Sequence, residues 1–207
     1  MVTLVKNLRL KLDENISGKA HVGDLISKCA GRISFLYRNS AFLNLKCRRI
    51  LCSALIQPYL DYCCSSWYSS ITKILRGRLD VIQRRMVRFI FSMDHMHHVG
   101  TKDLLNLGWL SIPDRVKYFK LVHVFKIKHG IAPDYLCDSF VPITQTHSHN
   151  TRGSGLDFAI TRDLSSSRTS FAYTAIKHWN SLPLFLKNIQ SESTFRIKLK
   201  EYLQSNY

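Results

Sequence analysis

Lys73, Arg76, Arg78, Arg84, Arg85 and Arg88 fall inside one short stretch, "KILRGRLDVIQRRMVR". Such side chains bind anions. A guanidinium pairs bidentately with phosphate, and a lysine adds a compact point charge. Between them Leu75, Leu79, Ile82, Met86, Phe89 and Ile90 recur at helical spacing. At ~100° per residue the apolar positions fill one stripe, and Lys73, Arg78, Arg84, Arg85 and Arg88 spread over the opposite side. Asp80 is the only acid between Lys73 and Arg88. A solvated helix face ordinarily mixes signs, because opposite charges three or four residues apart stabilise a helix and like charges do not. A face of one sign suits an external anion, and helical Lys/Arg rows hold nucleic-acid backbones in many domains. Arg48 and Arg49 are candidates to extend it. The alternative is an ordinary amphipathic helix with a solvated charged face.

Other chemistries find less support. No Walker loop, Rossmann glycine pattern, G-x-S-x-G elbow or H-E-x-x-H helix occurs. His95, His97 and His98 form the nearest approach to a metal cluster, with Cys63, Cys64, His147 and His149 as remote partners. No spacing supports a tetrahedral site, so a solvated histidine-rich loop is expected and no cofactor or metal. Asp61, in "YLDY", lacks the converging carboxylates of two-metal phosphoryl transfer, and reads as a buried or capping aspartate.

Composition points the same way. Lys and Arg total 30 against 14 Asp and Glu, a formal charge of +16 on 207 residues. Such a balance attracts polyanions, nucleic acid first and an anionic membrane surface second. A 45% hydrophobic content is enough for a core. No apolar run reaches the roughly 18 residues of a membrane helix. Lys6, Arg9 and Lys11 interrupt the apolar N-terminal pattern, so no secretory leader is expected. The cysteines, without C-x-x-C spacing, read as reduced, mostly buried thiols of an intracellular protein.

The elements that would position these groups are mainly helical. Residues 4–12 alternate from Leu8 onward and predict one half-buried strand, followed by a turn at "DENISG". Val22, Leu25, Ile26, Cys29, Ile33 and Leu36 predict a helix. Ser40 or Asn44 caps a second, whose apolar face would be Cys47, Ile50, Leu51, Ala54 and Leu55, with Lys46, Arg48 and Arg49 outside. Pro58 ends it, and "YLDYCCSSWYSS" reads as a short buried helical turn. The basic helix spans 72–91, then a loop and a short helix over 102–107. "SIPDR" starts a helix with Ser111 as cap, stopped by Gly130. Its apolar positions are Val116, Phe119, Val122 or His123, and Lys126 or Ile127. Residues 142–170 predict an irregular or flexible segment. Order returns at "FAYTAIKHWNSLP" and in a last helix with Phe195, Leu199, Tyr202 and Leu203 on one face.

Several segments, in order, resemble the C-terminal part of the reverse transcriptase of non-LTR (LINE-type, Jockey-like) retrotransposons. "NLRLKLDENISGKAHVGDLISKCAGRISFLYRNSAFL" is similar to that family's Leu-Gly-Val-x-Leu-Asp segment and the helix after it. "ILCSALIQPYLDYCCSSWYSS" matches its Pro-x-x-Asp-Tyr-Cys-x-x-x-Trp element through Pro58, Asp61, Tyr62, Cys63 and Trp67. The basic helix matches through Leu79, Gln83, Arg84 and Arg88. Downstream blocks match through Trp109, Pro133, Tyr135, Leu136, Trp179, Asn180, Leu182 and Pro183. The resemblance implies a mainly α fold: a thumb-like helical bundle with a short N-terminal β-strand and a helical C-terminal tail. Its segments would be an end-of-palm strand and turn (1–20), a bundle carrying the basic helix (21–95), a first tail part (96–141), the irregular segment (142–170) and C-terminal helices (171–207). It further implies an intracellular, nuclear setting and packing of the thumb on template–primer nucleic acid, RNA, DNA or hybrid, without a membrane. The rest of a polymerase palm is a further implied partner. The family's aromatic-x-Asp-Asp motif is absent from the sequence, so the chain is expected to be a non-catalytic piece. Arg9 replaces the glycine of Leu-Gly-Val, removing its backbone freedom. The expected strand would lack its sheet partners, and an exposed edge invites association. A protein–protein module, and a decayed reading frame of a mobile element, are the alternatives.

Overall fold

The structure, a computed structural model, describes residues 4–146, 154–161, 164 and 167–206. It is mainly α-helical, as expected, and divides into two compact units, Met1–Arg115 and Val116–Tyr207.

The first unit opens with a correction. The single expected strand is an antiparallel hairpin, β1 (Val5–Asn7) with β2 (Leu10–Leu12), in the register Val5↔Leu12 and Asn7↔Leu10. The alternation of Leu8, Leu10 and Leu12 is interrupted because Leu8 and Arg9 form the turn, with φ of 45° and 67°. Two consecutive positive φ values match the right-handed strand twist, but they suit Asn-Gly and strain larger L-residues. The hairpin pairs with itself, and β2 lies along helix α1 (Lys19–Arg38).

Helix α1 buries Val22, Leu25, Ile26, Cys29, Ile33 and Leu36, the predicted stripe. Its entry is Gly18, at φ 66°, where an added Cβ would lie 3.1 Å from Ile71 Cγ2. Helix α2 (Leu45–Leu55) starts at Asn44, whose side chain accepts the Cys47 N–H at 2.9 Å. Its inward face is turned by roughly 90° from the predicted one. Cys52 is buried, with Leu51 and Leu55 beside it, while Cys47, Ile50 and Ala54 are exposed.

Arg48 is the reason for that rotation. Its guanidinium donates to the Leu43 carbonyl (2.9 Å), the Ser40 carbonyl (2.8 Å) and the Phe89 carbonyl (3.2 Å), and to the Ser92 hydroxyl. It also lies 5.4 Å from the Phe89 ring centroid. A cation at the C-terminal end of the helix that carries Phe89 also meets the negative pole of its macrodipole.

Two short helices follow, α3 (Gln57–Asp61) and α4 (Cys64–Trp67), separated at Cys63, where φ is 50°. Trp67 is buried and donates its indole N–H to the Tyr62 carbonyl at 2.9 Å, and the Tyr62 hydroxyl reaches the Leu8 carbonyl. Asp61, expected to be buried or capping, is instead partly exposed and paired bidentately with Arg115. Helix α5 (Lys73–Phe91) packs on α1 and α2. Helix α6 (Thr101–Asn106) leads to Ser111, which caps helix α7 (Ile112–Lys128) by accepting the Asp114 N–H at 3.3 Å.

In the second unit, the α7 residues from Val116 onward are buried more widely than one stripe, including Leu121, Val124 and Phe125. Lys120 is buried and donates to Thr174 Oγ1. Gly130, at φ 65°, ends the helix as predicted, and Ile131 N–H returns to the Lys126 carbonyl. Short helices α8 (Asp134–Cys137) and α9 (Ile143–Thr146) precede α10 (Phe171–Asn180), α11 (Leu184–Lys187) and α12 (Glu192–Ser205). Within 142–170 the described residues include α9, a 3₁₀ turn at Ser154–Leu156, and a bridge between Pro142 and Phe158. Asn180 accounts for this order: its amide donates to the Phe158 carbonyl (2.8 Å) and accepts its N–H (3.1 Å), as a neighbouring strand would. Phe195, Leu199 and Leu203 of α12 are buried, and Phe195 stacks on Phe125 at 4.5 Å.

Two stability predictions follow from the first unit. Arg48→Met strips cationic donors from carbonyl oxygens and should cost about 2–3 kcal/mol in chemical denaturation, whereas Arg49→Met, on an exposed position, should change stability by less than about 0.5 kcal/mol. Equal effects would mean that Arg48 does not hold α2 against α5. Leu8→Asn with Arg9→Gly relaxes the strained turn and should raise the unfolding midpoint by about 1 kcal/mol equivalent. A lowered midpoint would refute the strain.

Candidate nucleic-acid interface

Helix α5 sets the geometry of the predicted anion-binding face. Thr72 caps it, accepting the Leu75 N–H, and Ser92 closes it at φ 55° with Met93 N–H returning to the Arg88 carbonyl. Leu75, Leu79, Ile82, Gln83, Met86, Val87, Phe89 and Ile90 are buried. Counting ~100° per residue, they fill one arc of the helix. The opposite arc carries, in angular order, Lys73, Arg84, Gly77, Arg88, Val81, Ile74, Arg85 and Arg78. Lys73 and Arg78 are exposed, and Arg84, Arg85 and Arg88 half-buried. Long stems covering apolar neighbours while their charged ends stay wet account for the intermediate values. Ile74 is 78% and Val81 44% exposed among these cations.

Arg76 does not join them. The same count places it on the inward arc, where its Nη2 donates to the Ser69 carbonyl at 3.1 Å and its Cζ lies 5.2 Å from the Tyr68 ring centroid. Its Nε is buried without a hydrogen-bond partner among the described residues. Arg88 stays on the outer arc but donates Nε–H to the His97 carbonyl at 2.9 Å, tying the histidine-rich loop to α5. Arg48 is committed to carbonyl oxygens, so of the suggested extensions only Arg49 presents an exposed cation.

Gln83, one of the residues carrying the family resemblance, has a structural role. It is buried, and its amide donates to the Leu110 carbonyl at 2.8 Å, joining α5 to the entry of α7. His95, His97 and His98 are exposed, and His95 Nδ1 lies 3.2 Å from Asp94 Oδ1. His147 and His149 lie outside the described residues. Among the described residues no grouping of three or more His, Cys, Asp or Glu could hold a metal ion. Burial pushes the thiols of Cys29, Cys52 and Cys64 up to about 12, which leaves them protonated and unreactive. No helix among the described residues is long and apolar enough to cross a membrane.

Sequence reasoning missed a second cationic lining, formed by Lys6, Arg9, Lys11 and Lys28 around Tyr59 and Tyr62. Its one local signal was the alternation of basic residues over 6–11. Lys28 and the tyrosines join only through folding.

Asp80 sits at the edge of the α5 face, half-buried. Burial pushes its carboxyl up from the ordinary value of 3.8, opposed by Arg84. The sign follows: with the folded-state value above the unfolded one, the ionised carboxylate disfavours folding at neutral pH, and this penalty fades as pH falls through the folded-state value. Asp80→Asn should therefore raise stability at neutral pH, with the gain disappearing in acid. Thermal unfolding across a pH series measures it, and a gain independent of pH would refute the assignment. Comparison with known proteins finds no match for this chain: no family model, no curated protein and no solved structure.

Proposed function

We propose that the chain is a non-catalytic, mainly helical piece of a LINE-type reverse transcriptase that retains a surface for nucleic-acid backbone, formed by Lys73, Arg78, Arg84, Arg85 and Arg88. One observation carries this reading: the outer arc of α5 holds those five cations, while its only acid lies half-buried at the edge. Guanidinium forks pair with phosphate oxygens irrespective of base sequence, so the binding is non-specific and fits RNA, DNA or their hybrid. Arg76 is left out of the surface because its guanidinium is turned inward. The family resemblance supplies the identity of the partner, a template–primer duplex, and an intracellular, nuclear setting. The residues quoted for that resemblance and buried here, Trp67, Leu79, Gln83, Trp109, Trp179 and Leu182, hold the fold, which suits a structural remnant without catalytic carboxylates.

A protein–protein module is the second reading. It is favoured by Phe42, 91% exposed, with Leu45 and Ile50 exposed beyond it on α2. Salt separates the two, because phosphate binding weakens steeply with salt and apolar contact does not.

The test is fluorescence anisotropy of a labelled RNA–DNA hybrid across a salt series. Arg78→Glu, Arg84→Glu and Arg85→Glu together, which leave Arg88 to hold its loop, should lower affinity at least about tenfold and reduce the salt slope by about 3. Circular dichroism checks that the variant is folded. Equal binding by a folded variant would overturn the reading.

A further inference from the structure

The hairpin, the start of α1 and α3 line an open cavity of about 670 Å³, a size that suits a small organic ligand. Its lining is unusual for a structural gap. Lys6, Arg9, Lys11 and Lys28 all face it, against one acid, Asp24. The Asp24 carboxylate is shared between Lys28 (2.9 Å) and Lys11 (3.3 Å), which leaves a clear excess of positive charge. Like charges drawn together cost stability unless an anion joins them.

Two further observations converge on the same place. His21 lines the cavity, and its Nε2 is buried with no hydrogen-bond partner among the described residues. Buried polar atoms are satisfied in the great majority of cases, so this one is an unmet polar group beside the cationic lining. Burial holds the imidazole below its ordinary pKa against the pull of Asp24, with Lys28 and Lys11 acting in the same direction as burial. The imidazole therefore adds no charge to the repulsion. The strained turn is the second observation. Leu8 and Arg9 stand at positive φ, and the Tyr62 hydroxyl ties the Leu8 carbonyl to the cavity wall. Backbone strain gathers at ligand clamps, where a side chain is held in a position its backbone does not favour. Arginine in a turn that suits glycine places a guanidinium over the cavity.

We propose that this cavity binds an oligophosphate group, a diphosphate or triphosphate, either free or carried on a nucleoside. Lys6, Arg9, Lys11 and Lys28 would share its charge, and Asp24 would be displaced from its lysines on binding. The site is separate from the α5 face and stands or falls independently of it.

Isothermal titration calorimetry of the full chain with tripolyphosphate, ATP and adenosine at physiological salt tests this. Tripolyphosphate and ATP should bind and adenosine should not. Comparable affinities mean that the free group suffices, and a preference for ATP of more than about fivefold means that the nucleoside adds contacts. Arg9→Glu with Lys11→Glu should weaken tripolyphosphate at least about tenfold, whereas Arg78→Glu, Arg84→Glu and Arg85→Glu should leave it within about twofold, since screening confines each charge to about 8 Å. Asp24→Asn should strengthen binding about threefold or more by freeing both lysines, an outcome that misfolding cannot imitate. Failure of the natural chain to bind either phosphate compound, equal losses from the two charge-reversal variants, or no gain from Asp24→Asn would overturn the proposal.

Discussion

Burial of one arc of α5 against α1 and α2 is the interaction on which the first unit depends. Each of Leu75, Leu79, Ile82, Met86, Phe89 and Ile90 leaves water nearly completely, and such a side chain contributes about 1.5–3 kcal/mol. That burial fixes the rotation of the helix about its axis. Once it is fixed, Lys73, Arg78, Arg84 and Arg85 are left to the solvent side, and Arg88 reaches the His97 carbonyl. The cationic face is thus a consequence of packing, held at one end by the Thr72 cap and at the other by Arg48 on the Phe89 carbonyl.

The arginines of this unit divide by what their guanidinium groups meet. Arg32 donates to the Leu55 carbonyl and the Tyr59 hydroxyl, Arg48 to carbonyls around the end of α5, Arg76 to the Ser69 carbonyl and Arg115 to Asp61. These join elements distant in sequence, with several rigidly placed donors per side chain. The arginines on the outer arc of α5 meet no such carbonyl clusters among the described residues, Arg88 excepted. A charge of +16 therefore overstates the cations presented to an outside anion, and the local arrangement matters more than the total.

In the second unit, polar groups are buried together with their partners. Lys187 is almost fully covered, and its ammonium meets Asp157 at 2.7 Å and the Asn180 carbonyl at 2.9 Å. Lys128 donates to the Lys187 carbonyl at 2.6 Å, and the Trp179 indole donates to the Leu156 carbonyl at 2.8 Å. Removing one member would leave a buried charge uncompensated, so these residues tie residues 156–158 firmly to α10 and α11.

Periodicity and local chemistry alone determined much of the molecule. The stripe of α1, the caps at Asn44 and Ser111, the stop at Gly130 and the apolar arc of α5 were legible because each depends on residues within a few turns of one another. Those features also placed the α5 cations opposite the apolar arc. Tertiary structure alone decided the rest. It broke the N-terminal alternation into a hairpin, because a positive φ at Leu8 and Arg9 has no signature in residues that usually avoid it. It turned α2 through the long-range bonds of Arg48, gave Arg76 its Tyr68 neighbour, and buried Lys120 and Lys187 beside partners 54 and 30 residues away. A lysine or arginine reads as solvated until its partner is known. That partner is set by which surfaces pack, and local pattern carries no record of it.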